Sequence, residues 1–280
     1  MHGAPVLSVR GLSKRYHTRA GERLVLDAIE MDVARGSFLC IVGPSGAGKT
    51  TLLRCMSGLL EPTDGAVLLD GERIDKPPDR LAVVFQDYSR SLMPWMSVER
   101  NVLLPLRAKG IPRAERLRLA REALGAVGLS GSGDHYPWQL SGGMQQRVAI
   151  ARALAYQPEA MLMDEPFASV DAQTRADLED LILGVREEFK MTIILVTHDI
   201  DEAVYLGDEV VVLGGAPTTV QERIQTGLGE RRDQLTTKSR PEFTQTRGRI
   251  LRLIRGDGCV QGNSAQGDGA QVRSDSQACA

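Results

Sequence analysis

One glycine-rich segment has the composition and spacing of a loop that binds phosphate groups. The residues GPSGAGKT at 43–50 fit the pattern G-x-x-x-x-G-K-T. Glycine lets the backbone curl so that several N–H groups converge on phosphate oxygens, and the helix expected after the loop adds the positive end of its dipole. Lys49 can reach the β- and γ-phosphates, and Thr50 can offer its hydroxyl to Mg²⁺. The segment therefore predicts a nucleoside triphosphate site.

A second segment, MLMDEP at 161–166, ends an apolar run with two adjacent carboxylates. A buried strand that ends at Asp164 would place this carboxylate beside the phosphate loop, where it can hold Mg²⁺ through water. Glu165 is then positioned to polarise an attacking water as a general base. By itself, an acidic pair after a strand is more often an ordinary solvated turn. The phosphate loop earlier in the chain favours the catalytic interpretation.

A third segment, LSGGMQQ at 140–146, has a glycine pair that follows a serine and opens a predicted helix. Such a start is a second helix N-terminus suited to binding an anion. One ATP does not need two such ends from one chain, so the segment requires a further explanation.

Taken together, these segments resemble the ATP-binding cassette (ABC) family. GPSGAGKT, LSGGMQQ and LMDEP occur in that order and are followed by ASVDA at 168–172 and THD at 197–199. The resemblance covers approximately residues 5–255. It implies that two copies pack head to tail, with each ATP between the phosphate loop of one copy and residues 141–143 of the other. Such a dimer would enclose two nucleotides under two-fold symmetry.

The resemblance also implies roles for four further residues. Tyr16 would stack on adenine, although it could instead be a core aromatic of a small sheet. Gln86 would contact Mg²⁺ and the attacking water and would begin the loop that faces the membrane partner. His198, directly after a predicted buried strand, would contact the γ-phosphate and orient the catalytic groups. Asp171 lies in the loop that would cross the dimer and couple the two sites.

Three sets of candidate site residues result. The catalytic candidates are Glu165, His198 and Gln86, and the Mg²⁺ candidates are Thr50, Gln86 and Asp164. The nucleotide-binding candidates are Tyr16, Gly43, Pro44, Ser45, Gly46, Ala47, Gly48, Lys49, Thr50, Thr51, Ser141, Gly142, Gly143 and Asp171.

The elements that must position these residues alternate between strand-like and helix-like patterns, which predicts an α/β fold with a mainly parallel sheet. The strand candidates are continuous apolar runs, as expected for strands covered on both faces. They lie at 37–43, 81–86, 159–165 and 191–199, and helical patterns lie at 49–58, 97–107, 113–127, 142–156 and 172–190.

The predicted fold is a P-loop NTPase core of the ABC ATPase type with two additions. The first 35 residues predict a small antiparallel N-terminal sheet, and about 88–155 would form a helical subdomain. The ABC ATP-binding domain would span 5–255. Residues 256–280 contain almost no large apolar side chains and cannot offset the entropy of ordering, so a disordered tail is expected there.

Composition narrows the class of protein. The chain has 280 residues, with 34 basic and 36 acidic side chains, so its charge does not suggest nucleic acid as a partner. No apolar run approaches the roughly 20 residues of a membrane-spanning helix, and no secretory signal is visible. We therefore expect a protein of the cytoplasm. Cys40 and Cys55 fall in apolar runs and are expected to be small buried residues, whereas Cys259 and Cys279 fall in the tail.

Other segments indicate a subgroup within the ABC family. The segments 85–102, 167–175 and 197–213 are similar to those of the nitrate/sulfonate/taurine group of importer ATPases. Pro94 and Trp95 would then lie where a helix of the membrane partner docks, although Trp95 could equally pack inside the helical subdomain. One departure is ASVDA, where much of the group has GALDA.

The sequence therefore predicts the ATP-hydrolysing subunit of an ABC importer, located at the cytoplasmic face of the membrane. The implied ligands are ATP and Mg²⁺. The implied partners are a second copy of the chain, separate permease subunits and, indirectly, a periplasmic or extracellular solute-binding protein.

Two alternatives remain open: a soluble regulatory or nucleic-acid ABC ATPase, and a P-loop kinase or GTPase that acts alone. The kinase or GTPase would have no use for LSGGMQQ, and the transported solute cannot be named because the cassette does not touch it.

Overall fold

The structure is a computed structural model that describes residues 4–18, 21–86 and 91–256. Apart from Gly256, the tail expected to be disordered lies outside the described residues, as do Cys259 and Cys279. The strands are β1 (Leu7–Thr18), β2 (Gly21–Val33), β3 (Phe38–Val42), β4 (Asp64–Leu69), β5 (Glu72–Arg73), β6 (Leu81–Val84), β7 (Ala160–Asp164), β8 (Thr192–Val196), β9 (Glu209–Gly214) and β10 (Thr219–Gln225). The helices are α1 (Lys49–Met56), α2 (Val98–Ala108), α3 (Arg113–Ala126), α4 (Gly142–Ala155), α5 (Ala172–Phe189), α6 (Ile200–Leu206) and α7 (Pro241–Arg255).

The central sheet has six strands in the order β10-β9-β3-β8-β7-β6. Only β10 runs antiparallel to its neighbour, so the predicted mainly parallel sheet is confirmed. Every residue of β3, β7 and β8 is buried. Successive side chains point to opposite faces of a strand, and both faces of this sheet are covered, which explains the unbroken apolar runs.

Different helices cover the two faces of the central sheet. On one face, Phe38 and Cys40 of β3 belong to a buried cluster that includes residues of α2 to α7. On the other face, Leu39 and Ile41 pack in a second cluster with α1 and the N-terminal sheet. Cys40 and Cys55 are both buried free cysteines, as predicted. The phosphate loop is therefore held between a rigid central sheet and the helix that follows it.

The N-terminal part forms the predicted antiparallel sheet, in the order β2-β1-β4-β5. The first 35 residues supply only β1 and β2. The short strands β4 and β5 complete the sheet after the chain has passed through β3 and α1. Backbone pairing between Leu26 and Thr218 joins this sheet to the segment before β10, so the two sheets are attached at one edge.

The predicted helices agree with the structure to within about two residues at each end. Ser97 was predicted to begin a helix, but it is the N-cap of α2, with extended backbone and its side chain accepting a bond from the amide of Arg100. The first predicted helix ends two residues earlier, at Met56, because Gly58 adopts a left-handed conformation with φ of 72°. Within the described ranges, no helix combines the length and apolar composition needed to cross a bilayer.

Asn101 organises the loop that leads into α2. Its side chain is fully buried; its oxygen accepts a bond of 2.7 Å from the Met93 amide. Its nitrogen donates to the carbonyls of Met93, Met96 and Ser97, each at 3.1 Å. One side chain thus satisfies four backbone groups of the segment 93–97, which forms neither helix nor strand.

We expect Asn101→Ala to lower the free energy of unfolding by about 2–4 kcal/mol, because it leaves buried backbone groups without partners. For a domain of this size, this corresponds to a Tm lower by roughly 5–15 °C, measurable by calorimetry. Arg100→Ala is the matched control, since that side chain is exposed, and should change the Tm little. A Tm for Asn101→Ala within 2 °C of the wild type would contradict this role.

Candidate active site

Four neighbouring parallel strands carry the candidate residues at their C-terminal ends. In sheet order, β3, β8, β7 and β6 lead into the phosphate loop at 43–50, His198, Glu165 and Gln86. Because the strands are parallel, these ends meet at one edge of the sheet, where α/β proteins bind their ligands. Residues that are far apart in the chain are brought together in this way.

The phosphate loop is packed closely enough against β2 to require glycine at position 48. Gly48 has a left-handed φ of 73°, and a Cβ atom there would come within 2.8 Å of Val25. The Lys49 ammonium reaches back across the loop and donates to the carbonyls of Gly43 at 2.9 Å and Pro44 at 3.1 Å. Burial lowers the pKa of Lys49, whereas the nearby carboxylates of Glu165 and Asp164 raise it. The loop therefore holds one cation at its centre.

Thr50 and Asp164 face each other across the gap between α1 and β7. The Thr50 hydroxyl lies 3.3 Å from Oδ1 of Asp164. Burial raises the pKa of Asp164, and the bond from Thr50 offsets part of that shift. A hydroxyl and a carboxylate oxygen are ligands suited to Mg²⁺. In the described part of the chain, no group of three or more His, Cys, Asp or Glu side chains could hold a metal. This agrees with Mg²⁺ sites in which phosphates and water supply most of the ligands.

Of the three catalytic candidates, Gln86 and His198 both contact the carboxylate of the third, Glu165. Oε2 of Glu165 lies 3.4 Å from Nε2 of Gln86 and 3.1 Å from Nδ1 of His198. The Glu165 backbone is left-handed, with φ of 44°, and its amide donates to the carbonyl of Val196. A left-handed glutamate is uncommon, and such conformations cluster at functional sites. The arrangement can hold a carboxylate oriented to accept a proton.

A cavity of about 450 Å³ lies in front of the phosphate loop and is large enough for a nucleotide. It is lined by Tyr16, Arg23, Val25, Ser45, Gly46, Gly48, Lys49, Thr50, Thr51 and Glu165. The Tyr16 side chain is exposed rather than buried in the N-terminal sheet, so its interpretation as a core aromatic is wrong. Its hydroxyl lies 3.4 Å from the Thr51 hydroxyl. The charge of the lining and its glycines fit a triphosphate.

Arg23 and Val25 were not predicted to lie in the site. Arg23 is the cross-strand partner of Tyr16 in the β1–β2 pair. No motif marks either residue, and only the strand register places them beside the loop. A predicted hairpin with a defined register could have found Arg23, because residues directly opposite each other in an antiparallel pair share a face.

Ser141, Gly142 and Gly143 are not among the described residues that line this cavity. Ser141 is the N-cap of α4, and its hydroxyl accepts a bond of 3.3 Å from the Met144 amide. Asp171 caps α5 in the same way and is exposed. One copy of the chain therefore brings together the phosphate loop, Tyr16, Asp164, Glu165, Gln86 and His198, but not residues 141–143 or Asp171.

The comparisons with known proteins agree on one family. The family model described as "ABC transporter" matches residues 26–168. An ABC transporter ATP-binding protein of Methanocaldococcus jannaschii is 47% identical over 249 residues, which cover 89% of this chain and 91% of that protein. The taurine import ATP-binding protein TauB of Pseudomonas putida is 42% identical, covering 89% and 95%. The nitrate import ATP-binding protein NrtD of Synechocystis sp. is 39% identical, also covering 89% and 95%.

Solved structures give the same result. The dimeric structure of the ABC transporter cassette MJ0796 has a TM-score of 0.68 and 32% identity, with 78% of this chain and 98% of that chain covered. A dimeric post-hydrolysis state of that cassette, bound to ADP and Pi, has a TM-score of 0.67 at the same identity and coverage. The structure of cbiO1 from Clostridium perfringens, part of the transporter complex cbiONQ, has a TM-score of 0.73 at 27% identity, covering 91% and 97%.

This chain belongs to the ABC transporter family. It is an ATP-binding subunit that hydrolyses ATP, with ATP and Mg²⁺ as its ligands, and its P-loop fold is the predicted ABC ATPase fold. Membership of this family excludes a P-loop kinase or GTPase that acts alone. ATP-binding subunits of the family are peripheral proteins at the cytoplasmic side of the membrane, where they act as dimers on permease subunits. The import subunits among the relatives fit an importer better than a soluble non-transport ABC ATPase.

We expect Glu165→Gln to bind ATP normally but to hydrolyse it about 10²–10⁴ times more slowly, because the substitution keeps the shape of the side chain and removes the base. ATP-bound dimers should accumulate on gel filtration. Glu188→Gln, an exposed glutamate in α5, is the matched control and should keep the wild-type rate. Hydrolysis by Glu165→Gln at half the wild-type rate would remove Glu165 from this role.

Proposed function

We propose that the convergence of Gln86 and His198 on Glu165 is the hydrolytic centre of an importer ATPase. Glu165 accepts a proton from the attacking water, and His198 and Gln86 keep that water and the carboxylate in line with the γ-phosphate. The bond of 3.1 Å between His198 and Glu165 supports this assignment most directly. It joins the ends of β8 and β7 at the position where the reaction must occur.

The remaining residues of the site bind and position the substrate. Lys49 donates to the β- and γ-phosphates, and the backbone N–H groups of residues 45–51 surround them. Tyr16 provides an exposed ring for adenine to stack on. Thr50, Asp164 and Gln86 would hold Mg²⁺, which when bound neutralises charge on the phosphates. Most of this work is positioning and charge stabilisation, because phosphoryl transfer needs little covalent chemistry from the protein.

Residues 141–143 act, in our proposal, on the ATP held by the other copy of the chain. Two observations support this. Ser141 and its glycines form the N-terminus of α4, where free amides can bind an anion, yet they do not line the cavity of their own copy among the described residues. Dimers formed by the related cassette MJ0796 provide a precedent for such an arrangement. A two-fold dimer would complete both sites at once, and Asp171 would lie at the crossing between them.

A mixture of two inactive variants tests the shared site. Ser141→Arg places a bulky side chain at the composite face, and Lys49→Ala removes the cation of the phosphate loop. Neither homodimer should hydrolyse ATP. In a mixed dimer both defects meet at one site, and the other site keeps an intact loop and an intact residue 141. Mixing should therefore restore part of the activity, measured as phosphate release together with ATP-dependent association.

Coupling between the two sites could mask this recovery, so the wild type must also be assayed at high dilution. Failure of the mixture to recover, together with ATP hydrolysis by a strictly monomeric wild type, would contradict the shared site. The LSGGMQQ segment would then need an explanation within one chain.

The transported solute is, in our proposal, a small anion of the nitrate or sulfonate type. The relatives NrtD and TauB, named for nitrate and taurine import, support this class. Import would require a solute-binding protein outside the membrane, which delivers the solute to the permease. The cassette would contact the permease and not the solute. Uptake of nitrate and of taurine by cells that express the chain with its native permease would distinguish these two solutes.

Trp95 is, in our proposal, a contact for the permease. Trp95 is 69% exposed, so packing inside the helical subdomain, the other interpretation of this residue, is wrong. It lies in the segment 93–97 before α2, whose backbone groups Asn101 binds. An exposed tryptophan on an ordered loop is a common anchor at protein interfaces.

We expect Trp95→Ala to weaken association with the permease by at least about 10-fold and to reduce ATP-driven uptake, while the isolated subunit keeps its basal ATPase rate. Leu235→Ala is the matched control, because Leu235 is 82% exposed elsewhere on the surface. Co-purification from detergent measures association. Normal association of the Trp95 variant would place the docking surface elsewhere.

A further inference from the structure

The N-terminus of α4 rests directly on the first turn of α5. A Cβ atom at Gly143 would come within 2.3 Å of the Thr174 methyl carbon, so only glycine permits this approach. Thr174 is in turn held by Asp171: its amide donates to Oδ1 at 3.0 Å and its hydroxyl to Oδ2 at 2.7 Å. Residues 141–143 and the Asp171 loop therefore meet at a single turn of helix within one copy of the chain.

The next residue of that turn, Arg175, reaches the loop that carries His198. Nη1 of Arg175 donates to Oδ2 of Asp199 at 3.0 Å, and both side chains are about one-third exposed. Nε of Arg175 is buried and has no hydrogen-bond partner within the described ranges. The contact with Asp199 is thus the polar interaction that orients this guanidinium, and its partner directly follows His198 in the chain.

Hydrogen bonds fix the two residues that flank His198 in the chain, Thr197 and Asp199. The second oxygen of Asp199 accepts bonds from the amides of Asp201 at 2.9 Å and Glu202 at 3.2 Å, which caps α6. The Thr197 hydroxyl accepts a bond from the Asp199 amide and donates to Oε2 of Glu202, each at 3.0 Å. The imidazole of His198 extends from this fixed loop to Glu165, so its position depends on where Asp199 lies.

Glu202 leaves Asp199 as the anionic partner of Arg175. Burial raises the pKa of Glu202 to about 8, and the bond from Thr197 only partly offsets this, so the carboxyl is mostly protonated at neutral pH. A neutral acid competes weakly for a guanidinium. The ion pair between Arg175 and Asp199 is therefore the charged link between α5 and the loop that carries His198.

We propose that Arg175 is a positioning residue that connects residues 141–143 of a subunit to His198 of the same subunit. A displacement of α4 against Thr174 moves the first turn of α5, and the ion pair passes this movement to Asp199 and hence to the imidazole. This proposal rests on the shared site proposed above, in which residues 141–143 contact the nucleotide of the other copy. Under that arrangement, the link makes hydrolysis at one site depend on the contact made at the other.

Four homodimeric variants test the link. Arg175→Gln removes the charge, Arg175→Lys keeps it, and Asp199→Asn removes the anionic partner but keeps a good helix cap. Arg175→Gln/Asp199→Asn completes a double-mutant cycle. We expect each removal to lower kcat roughly 10-fold with the KM for ATP within a factor of two, since the phosphate loop is untouched. Arg175→Lys should recover part of kcat, and the double variant should be no slower than the single ones.

The decisive comparison is between His198→Ala alone and the same variant with Arg175→Gln added. If Arg175 acts through the imidazole, Arg175→Gln should not slow the residual hydrolysis of His198→Ala, measured with radiolabelled ATP under single-turnover conditions. Arg118→Gln, which breaks an exposed ion pair on α3, is the matched control and should keep the wild-type kcat. These homodimer measurements do not depend on which copy supplies residues 141–143, so failure of the mixing experiment and failure of the link remain distinguishable.

Three results would overturn the proposal: a raised KM with unchanged kcat, additive losses in the double variant, or a further 10-fold loss in the His198→Ala background. Each variant's Tm is measured in parallel. If Arg175→Gln proves unstable, Asp199→Asn and Arg175→Lys decide the question, because both keep polar groups at these positions.

Discussion

The carboxylates of Asp164 and Glu165 and the ammonium of Lys49 lie close together, partly buried, at one edge of the parallel sheet. Burial lowers the pKa of Lys49 and raises that of Asp164, so each charge would be costly there without the others. Their mutual attraction offsets part of that cost only while the loop and β7 hold them side by side. The Glu165 backbone is left-handed and its amide donates to the carbonyl of Val196. The sheet, its two covering layers and the glycines of the loop all serve to maintain this arrangement.

Residues 141–143 do not take part in that arrangement within one copy of the chain, among the residues that the structure describes. The phosphate loop, the carboxylates and His198 lie together, whereas the N-terminus of α4 lies against α5 instead of in the cavity. In the shared site that we propose, separating the two halves makes catalysis conditional on assembly, because each half needs the other copy of the chain. Under the link that we propose, the contacts of Thr174 and Arg175 connect residues 141–143 to the loop that carries His198.

The two peripheral parts of the fold adapt the core to its partners. The N-terminal sheet supplies Tyr16 and Arg23 to the cavity through the register of β1 and β2. On the other side, Asn101 fixes the segment 93–97, in which Trp95 is exposed. Gln86 itself lies close to the Glu165 carboxylate, with 3.4 Å between Nε2 and Oε2.

The sequence by itself determined the family and the parallel sheet, and it named most residues of the candidate site, because these follow from local patterns. A phosphate loop needs its glycines, Lys49 and Thr50 at fixed spacing, and a buried strand reads as a continuous apolar run. The tertiary structure decided what local patterns do not contain. The close approach of Gly143 to Thr174, the ion pair of Arg175 with Asp199, and the place of Arg23 join residues from different elements. Trp95 is ambiguous in sequence for the same reason, since exposure depends on which elements pack around a side chain.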